Sequence, residues 1–235
     1  MEQLQFGVSQ ENFLTHVAQA LGREQPSTTA PERSEVGPPA FWKEDEPIKG
    51  KMLELFVENL ETLGGRVYLA KTRDEVSQKL IEWLKELEAK KAICWNDEEL
   101  KNILETSKLP IKVHYWDANQ HTQEELIQLA AQAQVGITWV NYAIAYTGTM
   151  AVFSGTGSGR SVSLLPPTHI AIFSRKQLVP TMSTVMRDLI ELHGTDKLPS
   201  GVSFITGPSR TSDIEMDLSI GVHGPYRTWV VIVDE

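Results

Sequence analysis

The sequence predicts an α/β protein built on a layered, mostly parallel sheet with added antiparallel strands. Three observations carry that expectation. Between residues 48 and 134, short apolar strands alternate with amphipathic helices, the mark of a parallel sheet with crossover helices. From residue 135 onward the strands come close together with Gly and Thr between them, too tight for crossovers, which points to antiparallel hairpins. The 235 residues are 41% hydrophobic and 23% charged, enough to bury a substantial core in one large domain or two small ones.

The elements follow in chain order. Residues 8–22 place Phe13, Leu14, Val17, Ala18 and Leu21 on one helical face. The stretch REQPSTTAPERSEVGPPAFWKEDEP then reads as an extended arm, with Phe41 and Trp42 as its docking aromatics. This gives two parts, an N-terminal helix with its Pro-rich arm over 1–47 and an α/β domain over 48–235. The domain opens with a helix carrying Ile48, Met52, Leu55, Phe56, Leu60 and Leu63, stopped by Gly64-Gly65. RVYLA, AICW and IKVHYWD are strands, separated by helices over 73–89 and 97–106 and followed by one over 121–134. VGITW, AIAY, TMAVFS and HIAIFS are the next strands, with the antiparallel portion expected within 135–174. A helix over 182–194 precedes two last strands, VSFITGPS and RTWVVIVDE.

Composition removes several function classes. The formal net charge is −9 and no basic run exceeds two residues, as in Lys90-Lys91, so a nucleic-acid partner is not expected. No apolar run is long enough to span a bilayer, and MEQLQFGVSQENF has no basic flank leading into an apolar segment, so the expected location is the cytoplasm. The single cysteine, Cys94, excludes an intrachain disulfide, an all-cysteine zinc site and a four-cysteine cluster; it reads as a buried strand residue. No metal site is expected.

Three stretches carry candidate chemistry. In SFITGPSRTSDIEMDL a strand runs into Gly207-Pro208, polar residues follow, and Ser212 with Glu215 has the spacing of a capping box. Such a turn presents free backbone N–H groups to an anion, with Arg210 adding positive charge and Ser209 a hydroxyl; an ordinary capped helix explains the same residues. In TGTMAVFSGTGSGRSVSLLPPTHIAIF, Gly148 implies close backbone approach or a bulge. The GTGSGR run lacks the ending of a P-loop and reads better as a flexible hairpin turn. Arg160 lies within reach of an anion, and His169 reads first as a hydrogen-bonded core histidine. In IGVHGPYRTW, His223 is held between Gly221 and Gly224-Pro225, poised either for acid–base work or substrate contact or for a bond to a backbone carbonyl.

Taken together, A-x-TGT, RSVSLLP-x-x-HI, ITGPSRTSDIEMDL and GVHGP resemble the lactate utilization protein C family, which carries the LUD domain. The resemblance is strong over 135–235, and the first half keeps the same order of elements. It implies a fold like the NagB/RpiA/CoA-transferase group and a role in oxidising L-lactate to pyruvate beside two iron–sulfur partner proteins. The family-type positions are Thr147, Gly148, Arg160, Pro166, His169, Gly207, Pro208, Ser209, Asp213, Glu215, His223 and Gly224. Tyr146 stands where members carry a carboxylate, so any role of that carboxylate as a base falls to another residue or is dispensable.

The expected site gathers His223 and Asp213 as catalytic candidates with Arg160, Ser209 and Arg210 as binding residues, at the carboxyl ends of strands, where α/β sheets bind ligands. A small carboxylate would pair with an arginine. No cofactor is expected in this chain, and iron–sulfur clusters are expected in partner proteins, because one cysteine cannot hold a cluster for the two electrons that lactate releases. The alternatives are a stand-alone enzyme on a carboxylate or sugar phosphate, and a non-catalytic assembly or regulatory subunit; fold alone decides among none of them.

Overall fold

In the computed structural model, residues 9–27, 29, 50–107, 109–212 and 218–234 are described. The chain divides into two compact units, Met1–Pro39 and Ala40–Glu235. The described part of the first unit is helix α1 (Gln10–Ala20), opened by Ser9, whose hydroxyl accepts from the Asn12 amide. The arm residues expected to dock, Phe41 and Trp42, lie outside the described residues.

The second unit is built on a six-stranded, all-parallel sheet of order β1-β12-β7-β4-β2-β3. Its strands are β1 (Arg66–Ala70), β2 (Lys91–Trp95), β3 (Lys112–Trp116), β4 (Val135–Trp139), β7 (Thr168–Ser174) and β12 (Arg227–Val233). Helices α2 (Met52–Thr62), α3 (Arg73–Glu86), α4 (Glu98–Ser107) and α5 (Gln123–Gln132) separate the early strands. Thr72 caps α3, and Thr122 with Glu125 forms a full capping box on α5. The crossovers β1-α3-β2 and β2-α4-β3 run one way across the sheet and β3-α5-β4 runs back. Right-handed connection therefore puts α3 and α4 on one face and α5 on the other.

VGITW departs from expectation. It is a central strand of the parallel sheet, not part of an antiparallel hairpin, because α5 feeds it from β3 and it lies between β2 and β7. Its first four residues, Val135–Thr138, are buried, as a strand covered on both faces requires. The antiparallel portion is a separate four-stranded sheet of order β8-β5-β6-β9: β5 (Tyr142–Ile144), β6 (Thr149–Ser154), β8 (Leu178–Val179) and β9 (Gly201–Ile205). Strand β6 pairs antiparallel with β5 and β9, while β8 joins β5 in parallel. Ala143, Met150 and Val152 of this sheet share one hydrophobic core with Ile137, Ile172 and Val231 of the parallel sheet.

The short helix α6 (Ser161–Leu164), not read from the sequence, leads into β7. Helix α7 (Met182–Glu191) follows β8, within the helix expected over 182–194. A two-stranded antiparallel ladder, β10 (Arg210–Ser212) with β11 (Leu218–Ile220), stands where a helix opening at Ser212 was expected. Ser212 and Leu218 are register partners in that ladder, so Ser212 is a strand residue; the expected helix from Asp213 falls on residues outside the described ones.

At the β1 edge, Arg66 lies 5.6 Å and 5.0 Å from the rings of Trp83 and Trp229 while its guanidinium contacts both carboxylate oxygens of Glu86 at 2.7 and 2.8 Å. Behind it, Phe56 of α2 meets Phe173 of β7 edge to face at 5.3 Å, which ties α2 to the centre of the sheet.

Candidate functional site

A cavity of about 310 Å³ opens at the amino-terminal edge of the parallel sheet. His169 and Thr228, the second residues of β7 and β12, form part of its floor. Ser163 and Leu164 of α6 and Phe204 and Ile205 of β9 supply its walls. The turn Thr206–Ser209 and the loop His223–Pro225 complete it. The cavity thus lies where β7 and β12 begin, at the amino edge of the parallel sheet, while its Thr206–Ser209 turn follows the carboxyl end of β9, the strand end at which that turn was expected.

Glycine places two of these parts. Gly136 of β4 is the register partner of His169, and a Cβ there would lie 1.8 Å from the Val162 carbonyl oxygen. Only glycine lets the α6 backbone lie on the sheet beside His169. Gly148 has φ +61°, and a Cβ on it would meet the Leu60 amide nitrogen at 2.6 Å. Its turn docks on α2, where the Asn59 amide donates to the carbonyls of Ala145 and Tyr146 at 3.2 and 3.0 Å. The close approach expected at Gly148 is this contact.

That turn connects to the cavity through hydroxyls. Thr147 Oγ1 lies 2.7 Å from Thr149 Oγ1, which lies 2.8 Å from Thr206 Oγ1 on the cavity wall. Two backbone bonds hold the opposite wall. The Ser209 amide donates to the Pro225 carbonyl and the Gly221 amide to the Ser209 carbonyl, both at 2.8 Å. TGT, ITGPS and GVHGP, far apart in sequence, are therefore physically one structure.

Of the residues named from sequence, Ser209 and His223 come together on this cavity. His223 is exposed, and no hydrogen bond from its ring to a backbone carbonyl occurs among the described residues. Arg210 does not line the cavity. It is exposed, and its guanidinium donates to the Leu63 carbonyl at the C-terminal end of α2, where a cation meets the negative end of the helix. Arg160 is also exposed and outside the cavity; it stands before α6, after a tight turn closed by Gly155 and Ser158. That turn is pinned rather than free, by Asn96 N–H to the Gly157 carbonyl at 2.8 Å and Trp95 Nε1–H to the Gly159 carbonyl at 3.0 Å. Asp213 lies outside the described residues, as does Glu215. Tyr146 is exposed and does not line the cavity.

His169 is the residue whose weight the sequence understated. It is the buried, hydrogen-bonded histidine expected, with Nε2 at 2.9 Å from Thr138 Oγ1. It also lines the cavity, and its Nδ1 has no hydrogen-bond partner. Burial lowers its pKa from 6.5 to about 4, so at neutral pH the ring is uncharged. The spacing of a histidine at a strand start could not show that one nitrogen would be spent on a neighbouring strand and the other left over.

Cys94 is fully buried in β2 and burial pushes its thiol well above the ordinary value, so it is neither a nucleophile nor an accessible ligand. Among the described residues no group of three or more His, Cys, Asp or Glu is placed to hold a metal ion, and no helix is long and apolar enough to cross a membrane.

Comparison with known proteins agrees with this architecture. The LUD domain family model matches residues 53–233. Lactate utilization protein C of Halalkalibacterium halodurans is 37% identical over 228 residues, covering 96% of this chain and 97% of that protein. Lactate utilization protein C of an Exiguobacterium species is 35% identical over 233 residues, covering 97% and 96%. The crystal structure of a DUF162 family protein from Deinococcus radiodurans superposes with a TM-score of 0.57 at 17% identity, covering 79% of this chain and 98% of that one, a likeness of fold. With its parallel sheet, its added antiparallel strands and the four motifs joined around one cavity, the chain belongs to the lactate utilization protein C family and carries that family's LUD domain.

Proposed function

We propose that this protein is a component of a multi-protein system that oxidises L-lactate to pyruvate with iron–sulfur partner proteins, and that the cavity around His169, Thr206, Ser209 and His223 takes the small carboxylate. The observation that supports this reading is the convergence of the family's motifs on one cavity that carries hydroxyls and two histidines. The relatives named lactate utilization protein C supply the substrate.

The division of labour rests on electrons. Oxidising a 2-hydroxy acid to a 2-oxo acid releases two electrons and two protons. One buried cysteine offers no ligand set for a cysteine-held cluster, so the iron–sulfur path for those electrons belongs to partners. What its residues can do is bind, orient and exclude water. His223, exposed on the rim, is placed to exchange a proton with a ligand, and the Thr206 and Ser209 hydroxyls are placed to hold one.

The lining also weighs against the alternative of a sugar phosphate or acyl-CoA. Those ligands carry several negative charges, which call for arginine or lysine at the site. Both candidate arginines lie outside this cavity, whose described lining is hydroxyls, uncharged His169, His223 and apolar groups. A monocarboxylate asks for less.

The test is lactate-dependent dye reduction by the purified components, each omitted in turn. Activity should require this chain, and the chain alone should show none. An unchanged rate without it would overturn the reading.

A further inference from the structure

Three buried side-chain atoms among the described residues lack a hydrogen-bond partner: Trp83 Nε1, Glu99 Oε2 and His169 Nδ1. Trp83 lines neither this cavity nor the cleft at the other edge of the sheet. Glu99 Oε2 has the Arg73 guanidinium 2.8 Å away as a counter-charge. His169 Nδ1 alone combines a cavity with no compensating group.

The geometry also fixes which proton His169 carries. Thr138 is fully buried, and His169 Nε2 is the partner of its hydroxyl. If Nε2–H donated to Thr138, the threonine's own O–H would be left buried without an acceptor, at a cost of about 1–3 kcal/mol. If instead the Thr138 O–H donates to Nε2, both of those atoms are satisfied and the one ring proton sits on Nδ1, which leaves one unmet group in place of two. Burial keeps the ring neutral, so there is one such proton. The histidine that lines the cavity therefore carries an unmet hydrogen-bond donor, held in orientation by Thr138 on the neighbouring strand.

We infer that His169 is a ligand-positioning residue whose Nδ1–H binds an oxygen of a small 2-hydroxy or 2-oxo acid, a neutral donor where an arginine was expected. This deepens the lactate reading and rests on it for the identity of the acid. The remaining oxygens of such a ligand would meet the Thr206, Ser209 and Thr228 side chains, which line the same space. A donor at this position accepts both the alcohol and the carbonyl form, so substrate and product are held alike. A carboxylate oxygen bound without a formal charge is held weakly enough to leave after turnover.

His169 is closed to solvent in this conformation, at 0% exposure. Occupancy therefore requires a small opening of the rim, where Leu164 and Phe204 are each 38% exposed.

The test uses the full chain labelled with nitrogen-15 histidine, with the His169 signals assigned by their loss in a Thr138→Val/His169→Phe double variant. Replacing both partners by apolar groups removes the orphan donor, so this variant should melt no lower than wild type. Without ligand, Nδ1 should carry the proton and Nε2 should not. Addition of pyruvate or L-lactate should shift the Nδ1–H signal downfield and saturably, and the double variant should bind about tenfold more weakly, the worth of one hydrogen bond. A His169 signal indifferent to both acids, or unchanged affinity in a stably folded double variant, would sink the inference. The omission assay is independent of this result. A chain needed for lactate oxidation with a silent His169 leaves the functional reading standing and removes the subsite. A responsive His169 in a dispensable chain does the reverse.

Discussion

The two edges of the parallel sheet carry cavities of similar size and opposite character. At the carboxyl edge, where β4, β7 and β12 end at Trp139, Ser174 and Val233, a cleft of about 340 Å³ is lined also by Arg73, Glu99 and Lys176. Arg73 is paired with Glu99 at 2.8 Å, and the nearby Arg175 with Asp234 at 2.9 Å. The helix starts beside the cleft are capped from within: Thr72 accepts from the Glu75 amide, and an Asp97 carboxylate oxygen accepts from the amides of Glu99 and Leu100. The arginines and helix starts that would make such an edge attractive to an anion are thus answered by the chain itself, while Lys176 lines the cleft without a carboxylate partner among the described residues. At the amino edge the cavity is slightly smaller, at about 310 Å³, carries no such ion pair, and ends on a histidine nitrogen that nothing answers. On the function proposed above, unmet hydrogen bonding and not volume or position separates the two edges.

The sharpest way to break that comparison is at the amino edge. His223→Ala removes the exposed imidazole on the rim and touches no buried contact, so folding should be unaffected while growth on L-lactate is lost. A far-ultraviolet circular dichroism melt checks the first and complementation of a deletion strain the second. Normal growth with this variant would move the chemistry away from the cavity.

The next effect is on stability. The pKa of His169 is about 4 in the folded chain against 6.5 for an ordinary histidine. As pH falls through 6.5 the unfolded chain takes up a proton that the folded chain resists until about pH 4. Its contribution is therefore fully present above pH 6.5 and is lost on acidification, by about 2 kcal/mol at pH 5. Urea unfolding at both pH values should show the fall in wild type and a smaller one in Thr138→Val/His169→Phe. Equal falls would mean that the histidine is not buried neutral.

How far could these two edges be told apart from sequence? The frame was largely legible. Helix periodicity in Val76, Leu80, Trp83 and Leu84 and the apolar strands are local signals, and local signals survive in a sequence. VGITW was misplaced because its pairing depends on a long-range crossover, which strand spacing does not encode. The motifs of the site were legible as a set, and their joining was not. Thr206 meets Thr149 across 57 positions. Arg210 looked like a ligand residue because a charge beside a glycine turn has the same appearance whether it faces a cavity or, as here, the end of another helix. Ser212, read as a helix cap from its spacing to Glu215, is instead paired in the ladder between β10 and β11, a pairing that the spacing does not show.

Arg210 gives a smaller effect that tests this explanation. Arg210→Ala removes the guanidinium from the Leu63 carbonyl, and with it one charge-assisted bond at an exposed helix end. The expected cost is about 1 kcal/mol in thermal unfolding, with affinity for pyruvate or L-lactate little changed. A large loss of affinity at unchanged stability would return Arg210 to the ligand and overturn the assignment made here.

The smallest effect is expected at the carboxyl edge, and it decides whether the comparison holds. Arg73 and Glu99 have side chains 44% and 45% exposed, so their ion pair is screened by water. Such pairs contribute about 0–1 kcal/mol. Removing both charges together in Arg73→Ala/Glu99→Ala leaves neither partner stranded, and the inward residues of α4 that hold it in place, Leu100, Ile103 and Leu104, are untouched. Stability should move by less than about 1 kcal/mol, and growth on L-lactate should match wild type. If the carboxyl edge were the working site, the double variant would lose growth while keeping its melting temperature, since it strips the cleft of a cation and an anion without disturbing its walls. That pattern would reverse the roles assigned to the two edges and leave His169 as a buried histidine with an unmet bond and no ligand.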